Sequence, residues 1–229
     1  ISQFYDSLDQ QQLSEELQLL GKSFDDRLNW IVGLYWFQED GLNVNLLDFI
    51  ISSFRSGGYF DNSSKAIFAQ GTYDLTDRLH LTAGLRWTED EKKFLPDQAI
   101  YTLNPAMAGY LSPPQQFIFQ PGTPILPSIE KTLKESQATP MVNLSFDWRE
   151  ALMTYVSYSE GFKSGGFTQR VLPPLIPGIT CSPVPEDCIP GFDPEFVTVY
   201  EAGFRYVSAD SKIRASGAVY HTDYQALQI

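Results

Sequence analysis

Histidine and cysteine are almost missing from these 229 residues: there are two of each, beside 16 Phe and 12 Tyr. His80 and His221 have no partner at ligand spacing, so no resident metal site or other cofactor is expected. Cys181 and Cys188 lie in the proline-rich stretch CSPVPEDC. That short loop spacing points to a local disulfide made in an oxidising compartment. The rival reading, a metal site, would rest on two thiols with no histidine nearby, a poor zinc set. Positive charge is scarce as well. Sixteen Lys and Arg stand against 28 Asp and Glu, a net charge of -12, and the basic patches that neutralise phosphates are absent, which argues against a nucleic-acid partner. The acidic excess suits capture of a cationic or metal-bearing ligand, although it speaks first to ordinary solubility. Nor does any run approach the ~20 apolar residues of a membrane helix. The first residues carry neither a basic nor an apolar signal region, so an exported chain is expected to have lost its signal.

What the chain does have is alternation. In 27–39, Leu28, Trp30, Val32, Leu34 and Trp36 share one face of a strand, with Asn29, Gly33 and Tyr35 on the other. Ile67, Ala69, Gly71 and Tyr73 alternate with Ala66, Phe68, Gln70 and Thr72. After the tight-turn residues DLTDR the pattern returns: Leu81, Ala83, Leu85 and Trp87 on one side, His80, Thr82, Gly84, Arg86 and Thr88 on the other. A strand from about Ala138 to Trp148 carries Val142, Leu144 and Phe146 on one face. It turns at Trp148-Arg149-Glu150 into 151–167, where Leu152, Thr154, Val156 and Tyr158 oppose Met153, Tyr155, Ser157 and Ser159. Tyr200, Ala202, Phe204 and Tyr206 against Val199, Glu201, Gly203 and Arg205 mark another strand, and a last one starts near Ile213. Residues 8–20 are ambiguous, since Leu13, Leu17 and Leu20 also make a helical stripe.

The connections sort by length. GKSFDD, DLTDR, WRE and SADSK are short, whereas 40–63, 95–135 and 164–195 are long. The 95–135 stretch holds seven of the fifteen prolines, a length of irregular chain that a compact soluble domain seldom carries without a functional reason. Two-faced strands of ~10 residues joined alternately by short and long connections predict an all-β, antiparallel transmembrane barrel with short periplasmic turns and long extracellular loops. Tyr73, Trp148 and Tyr206 near the short turns, and Trp36 and Trp87 near the long ones, fit two interfacial girdles. A soluble β-sandwich also alternates, but does not segregate its loops by length in this way.

In order, LSEELQL, RLNWIVGLYWFQE, AIFAQGTYDLTDRLHLTAGLRWTEDEKKF, YVSYSEGFKSGGF and YEAGFRY resemble the barrel of TonB-dependent outer-membrane receptors. The resemblance covers nearly the whole chain and turns the 8–20 stripe into a barrel strand. It implies a 22-stranded barrel, a plug domain in its lumen, and coupling to the TonB–ExbB–ExbD complex. Residues 1–229 are then expected to be a partial barrel domain of about eight strands, with part of a ninth at Ile1 to Tyr5, and without the plug domain or the C-terminal strands. The implied location is the bacterial outer membrane. The implied activity is gated, energised import of a scarce bulky nutrient, a ferric siderophore ahead of cobalamin, haem or an oligosaccharide. A small closed barrel acting as adhesin or anchor is the alternative.

Import needs no nucleophile or acid/base pair, so no catalytic residue is expected. The ligand-binding candidates are polar and aromatic groups at the long-loop ends: Arg86, Glu89 and Lys93 on one strand, Lys163, Gln169 and Arg170 after the 151–167 stretch, and Tyr59, Phe60, Tyr110 and Phe117 in loops. Basic groups hold carboxylates or phosphates of a metal chelate, and aromatics stack on rings, though for each a solvated rim position or an internal salt bridge is the plainer role. Glu160 and Glu201, on neighbouring strands, suggest a glycosidase pair, which is rejected because carboxylates in such a barrel pair with bases such as Lys163 or Arg205. GFKSGG lacks phosphate-loop spacing.

Overall fold

The computed structural model of the chain describes residues 3–48, 52–103, 120–169 and 185–228. The 8–20 ambiguity resolves as strand. β1 (Gln3–Ser23) pairs antiparallel with β2 (Leu28–Asp48) along its whole length, from Gln3↔Asp48 to Ser23↔Leu28. A helix would have used only every third or fourth leucine, whereas this register sets Leu17 beside Leu34 and Leu19 beside Val32. The expected partial ninth strand at Ile1 to Tyr5 is not separate, because residues 3–5 are the start of β1.

Within 40–63 the described residues are strand rather than the expected loop. β2 continues against β3 (Ser52–Asp74) in unbroken register from Leu28↔Tyr73 to Asp48↔Ser53. Antiparallel hydrogen bonding does not require apolar alternation, so a strand pair can run on where its side chains become polar. The glycines that look like turn signals serve the strand. Gly57, opposite Val44, has φ of 117°, and a Cβ there would lie 2.1 Å from the carbonyl oxygen of Asn43.

β4 (Leu79–Pro96) pairs with β3 from Asp74↔His80 up to Gly58↔Pro96. Above that point β5 (Ala99–Leu103) takes its place on β3, across a register shift between Ser53 and Phe54. β6 (Lys131–Arg149) begins at Lys131 rather than near Ala138 and pairs with β4 up to Phe94↔Lys131. β7 (Leu152–Lys163) pairs with β6 only as far as Met141↔Ser159. The next residue of β6 is Pro140, which has no N–H to give, so the β6–β7 seam ends there. In the former long loop at 164–195, β8 (Gly166–Phe167) pairs with β9 (Gly191–Phe192), and a single 3-10 turn covers Pro185–Cys188. β10 (Glu195–Val207) and β11 (Arg214–Gln225) complete the sheet, whose order is β1-β2-β3-β4-β6-β7-β10-β11.

Register turns the alternation of each strand into two continuous faces. On one, Leu17, Leu34, Ile67 and Trp87 line up across β1 to β4, and Leu144, Val156, Ala202 and Val219 line up across β6 to β11. These side chains are open: Leu17 is 71%, Ile67 57% and Val219 74% exposed. On the other, polar face, Gly33, Phe68, Arg86 and Thr139 form one row. The buried residues do not fill the middle of the molecule. Apart from Ala66 and Thr88, the buried side chains lie toward the end away from the tight turns, where Leu47, Phe54 and Ile100 pack with Ile125 on the polar face.

Candidate functional site

On the polar face the site begins with Arg86. Gly33 leaves room for the ring of Phe68, which a Cβ at Gly33 would meet at 2.2 Å. The Arg86 guanidinium then lies over Phe68 at 5.6 Å and over Tyr35 at 5.2 Å, while its Nε donates to Thr88 Oγ1 at 3.1 Å. Two strands thus fix a cation that makes no ion pair among the described residues. Further up the same face, Asn62 Nδ2 donates to Glu39 Oε1 at 2.8 Å, and Lys92 Nζ donates to the carbonyl of Gly165 at 2.7 Å. Lys92 is half-buried. Burial pushes its ammonium below the ordinary lysine range, with Asp90 and Glu39 acting the other way and Lys163 adding to the lowering.

Gly165 belongs to a short strap, residues 164–169, that follows β7 after Lys163, past the end of the β6–β7 seam at Ser159, and crosses to β3 and β4. Phe167 stacks on Phe94, with ring centroids 5.8 Å apart and planes 18° apart. The carbonyl of Gln169 accepts from Ser56 Oγ at 2.6 Å and from Gln98 Nε2 at 2.9 Å. Behind it, Lys131 Nζ donates to the carbonyl of Ile189 at 3.0 Å, and Ile189 is fully buried. Gln228 Nε2 donates to the carbonyl of Asp193 at 2.9 Å, securing the far side. Phe94, Ser56 and Gln98 are themselves buried under this cover. The arrangement closes the end of the polar face away from the tight turns with main-chain carbonyls and aromatic rings. It leaves cations beneath.

The expected site residues separate by face. Arg86 and Phe60 lie on the polar face, Phe60 across from Phe94. Lys163 ends β7 with the same parity as Ser157 and Ser159 of the polar face, and Gln169 lies in the strap. Glu89, Lys93 and Tyr59 are on the opposite face, in register with Lys65, Asp61 and Leu95. There Lys93 Nζ is 3.3 Å and Lys134 Nζ 2.6 Å from Glu91, whose carboxyl the two lysines hold below its usual range. Tyr110, Phe117, Arg170 and Cys181 lie outside the described residues. Cys188 is disulfide-bonded. The two glutamates of the rejected hydrolase reading also part: Glu201 faces the polar side and is bonded by the Tyr155 hydroxyl, whereas Glu160 shares the other face with Tyr158, which bonds it. They cannot flank one bond.

Lys92, Phe94, Ser56 and Gln98 were not among the residues singled out from sequence. For Lys92 the signal was present, since it has the parity of Arg86 and Lys93 does not. For Ser56 and Gln98 there was none, because their role comes from a strap more than sixty residues away in the chain.

No curated protein matches the chain by sequence. Among solved structures, the ferric yersiniabactin uptake receptor FyuA from Yersinia pestis is similar at 17% identity and a TM-score of 0.75, over 99% of this chain and 30% of that one. The ferric-catecholate import receptor Fiu from E. coli K12 in its closed form is similar at 13% identity and a TM-score of 0.63, over 96% and 32%. The copper transporter OprC is similar at 14% identity and a TM-score of 0.62, over 95% and 30%. The chain thus spans about a third of the structures it resembles, and at these identities the likeness concerns the fold. The sequence itself matches the family model "TonB dependent receptor-like, beta-barrel" over residues 2–229. The open apolar rows are therefore the lipid-facing side of an outer-membrane barrel wall, the polar face is its lumen side, and the chain belongs to the TonB-dependent receptor β-barrel family.

Proposed function

We propose that the chain is part of the wall of a ligand-gated outer-membrane importer, energised through TonB–ExbB–ExbD, whose cargo is a metal chelate and first of all a ferric siderophore. In this reading the sheet closes with further strands into a 22-stranded barrel around a plug domain. The tight turns face the periplasm, and the strap end faces outward. The observation that carries it is the strap covering the outer end of the lumen face, with Lys92 and, lower on the face, Arg86 beneath it and the exposed Lys163 at its edge. Cations and aromatic rings at a covered mouth suit an anionic, ring-bearing chelate. The names of its structural relatives agree, two being receptors for ferric complexes and one a copper transporter. Tyr59, Glu89 and Lys93 belong on the outer surface of this wall, while Phe60, Arg86, Lys163 and Gln169 border the cargo path.

The deciding experiment is uptake by the full-length protein of a panel of iron chelates, cobalamin, haem and glycans, in cells grown with and without iron and with and without TonB. Energised uptake of a ferric chelate under iron starvation is the expected result. Uptake of glycans alone would defeat the siderophore reading, and no uptake of any kind would favour an adhesin or anchor.

A further inference from the structure

His80 lies on the polar face but far from the strap, at the end where β4 leaves its tight turn. Its Nδ1 is 2.5 Å from Asp74 Oδ1 on β3, directly opposite, and its Nε2 is 3.1 Å from Asp147 Oδ2 on β6. Both carboxylates share its face: Asp74 continues the series Phe68, Gln70 and Thr72, and Asp147 follows Ser145, which His80 opposes. Carboxylates only accept hydrogen bonds, and a neutral imidazole has a single N–H to give. Only the charged ring satisfies both. A neutral ring that keeps the shorter bond, to Asp74, turns a lone pair toward Asp147. The other charged groups on the neighbouring elements are Arg27, which lies over Tyr73 and donates to the carbonyl of Leu75, Asp77 and Arg78 in the β3–β4 turn, Arg149 and Glu150 after Asp147, and Arg205 of β10, in the row of Asp147 across Met153. Among the described residues, none of these bases forms an ion pair with either aspartate. One step inward on β3 and β4, the hydroxyls of Thr72 and Thr82 meet at 2.9 Å, a contact with no charge to lose.

We propose that Asp74, His80 and Asp147 form a proton-operated clip across β3, β4 and β6 at the tight-turn rim of the lumen wall. With the ring charged the clip is shut. When the ring loses its proton the Nε2 contact becomes repulsive and Asp147 swings away, a free carboxylate in the row of Arg205. The end of β6 is then held beside β4 by the main chain, through the Asp147 amide on the carbonyl of Arg78 at 2.8 Å. Two carboxylates favour the charged ring, so the clip is complete in acid and is lost as pH rises through the ring's titration. The importer reading supplies only the compartment, by turning this rim toward the periplasm; the clip itself does not depend on transport.

The clip is tested by hydrogen exchange of the full-length receptor in lipid nanodiscs between about pH 5 and 9, read by mass spectrometry on residues 146–151 and corrected for the intrinsic pH dependence of exchange. In the wild type, exchange there should rise by about tenfold in a single step, the scale of one charge-assisted bond. Residues 82–86 should show no step. His80→Gln should exchange at the fast level throughout. Asp147→Asn should exchange at the slow level throughout, because its side-chain amide donates to the neutral ring and accepts from the charged one. Heat-modifiable gel migration verifies that each variant is a folded barrel. A step that persists in either variant, or no step in the wild type, overturns the clip. Exchange needs no cargo, so the two readings fail separately: a step without uptake of any cargo rejects only the importer, and uptake without a step rejects only the clip.

Discussion

The two ends of the sheet are built to different heights. β1 to β4 have 21, 21, 23 and 18 residues, whereas β7, β10 and β11 have 12, 13 and 12. The short strands are barely longer than the ~9–11 residues that cross a bilayer. The tall ones cross and keep going. Within the bilayer both regions obey the same constraint, apolar outward and polar inward, because lipid cannot solvate a charge or an unpaired peptide group. Above it the constraint lapses, and the tall strands carry Asp61, Glu89, Glu91 and Lys93 outward without penalty. Their extension is held instead by the ladder and by what packs on its inner side. The difference teaches that the wall is specified by solvent, and the mouth by long-range contacts.

The largest expected effect breaks the mouth and leaves the wall. Phe94 is 1% exposed beneath Phe167, so Phe94→Ala should cost about 3–5 kcal/mol of local stability. Proteolysis should become rapid within 164–169, while heat-modifiable gel migration, which reports the folded barrel, stays unchanged. Next comes a pair that sharpens the boundary. Leu34→Arg, in the lipid-facing row, should destabilise folding into vesicles by about 2–4 kcal/mol in urea titrations, and Leu42→Arg, higher on the same face of β2, by about 0–1 kcal/mol.

The smallest effect is a pH separation between adjacent residues. Burial lowers Lys92, while the bond to Glu91 raises Lys93. The neutral amine is the reactive form. In a pH series of acetylation rates, each scaled to its own plateau, Lys92 should therefore reach half-maximum at lower pH than Lys93. Coincident midpoints would remove the contrast between the faces.

This contrast also explains what could be read from the sequence. Leu81, Ala83, Leu85 and Trp87 announce a two-faced strand because lipid enforces period two, and the tight turns at DLTDR and SADSK follow from local chemistry. Residues 40–63 were illegible as strand because nothing outside the bilayer enforces that period, and Gly57 and Gly58 imitate a turn. Pro140 was hidden in a run otherwise correct for β6, yet it ends the seam through which the strap enters. At the site, Arg86 was legible from type and position. Lys92 was legible only by counting parity, and Ser56 and Gln98 only once Gln169 had been placed beside them.

The central claim, that one strand crosses lipid as far as Trp87 and then stands in water, is open to a direct measurement along β4. Single cysteines from Leu79 to Pro96, in a background with Cys181 and Cys188 replaced by serine, would be scored in outer-membrane vesicles for reaction with a water-soluble maleimide. Reactivity should alternate through Trp87, with the parity of Arg86 reactive and that of Leu85 protected, and beyond Glu89 the outward positions should become reactive too. Uniform reactivity along the strand, or alternation that continues unchanged to Leu95, would contradict the account.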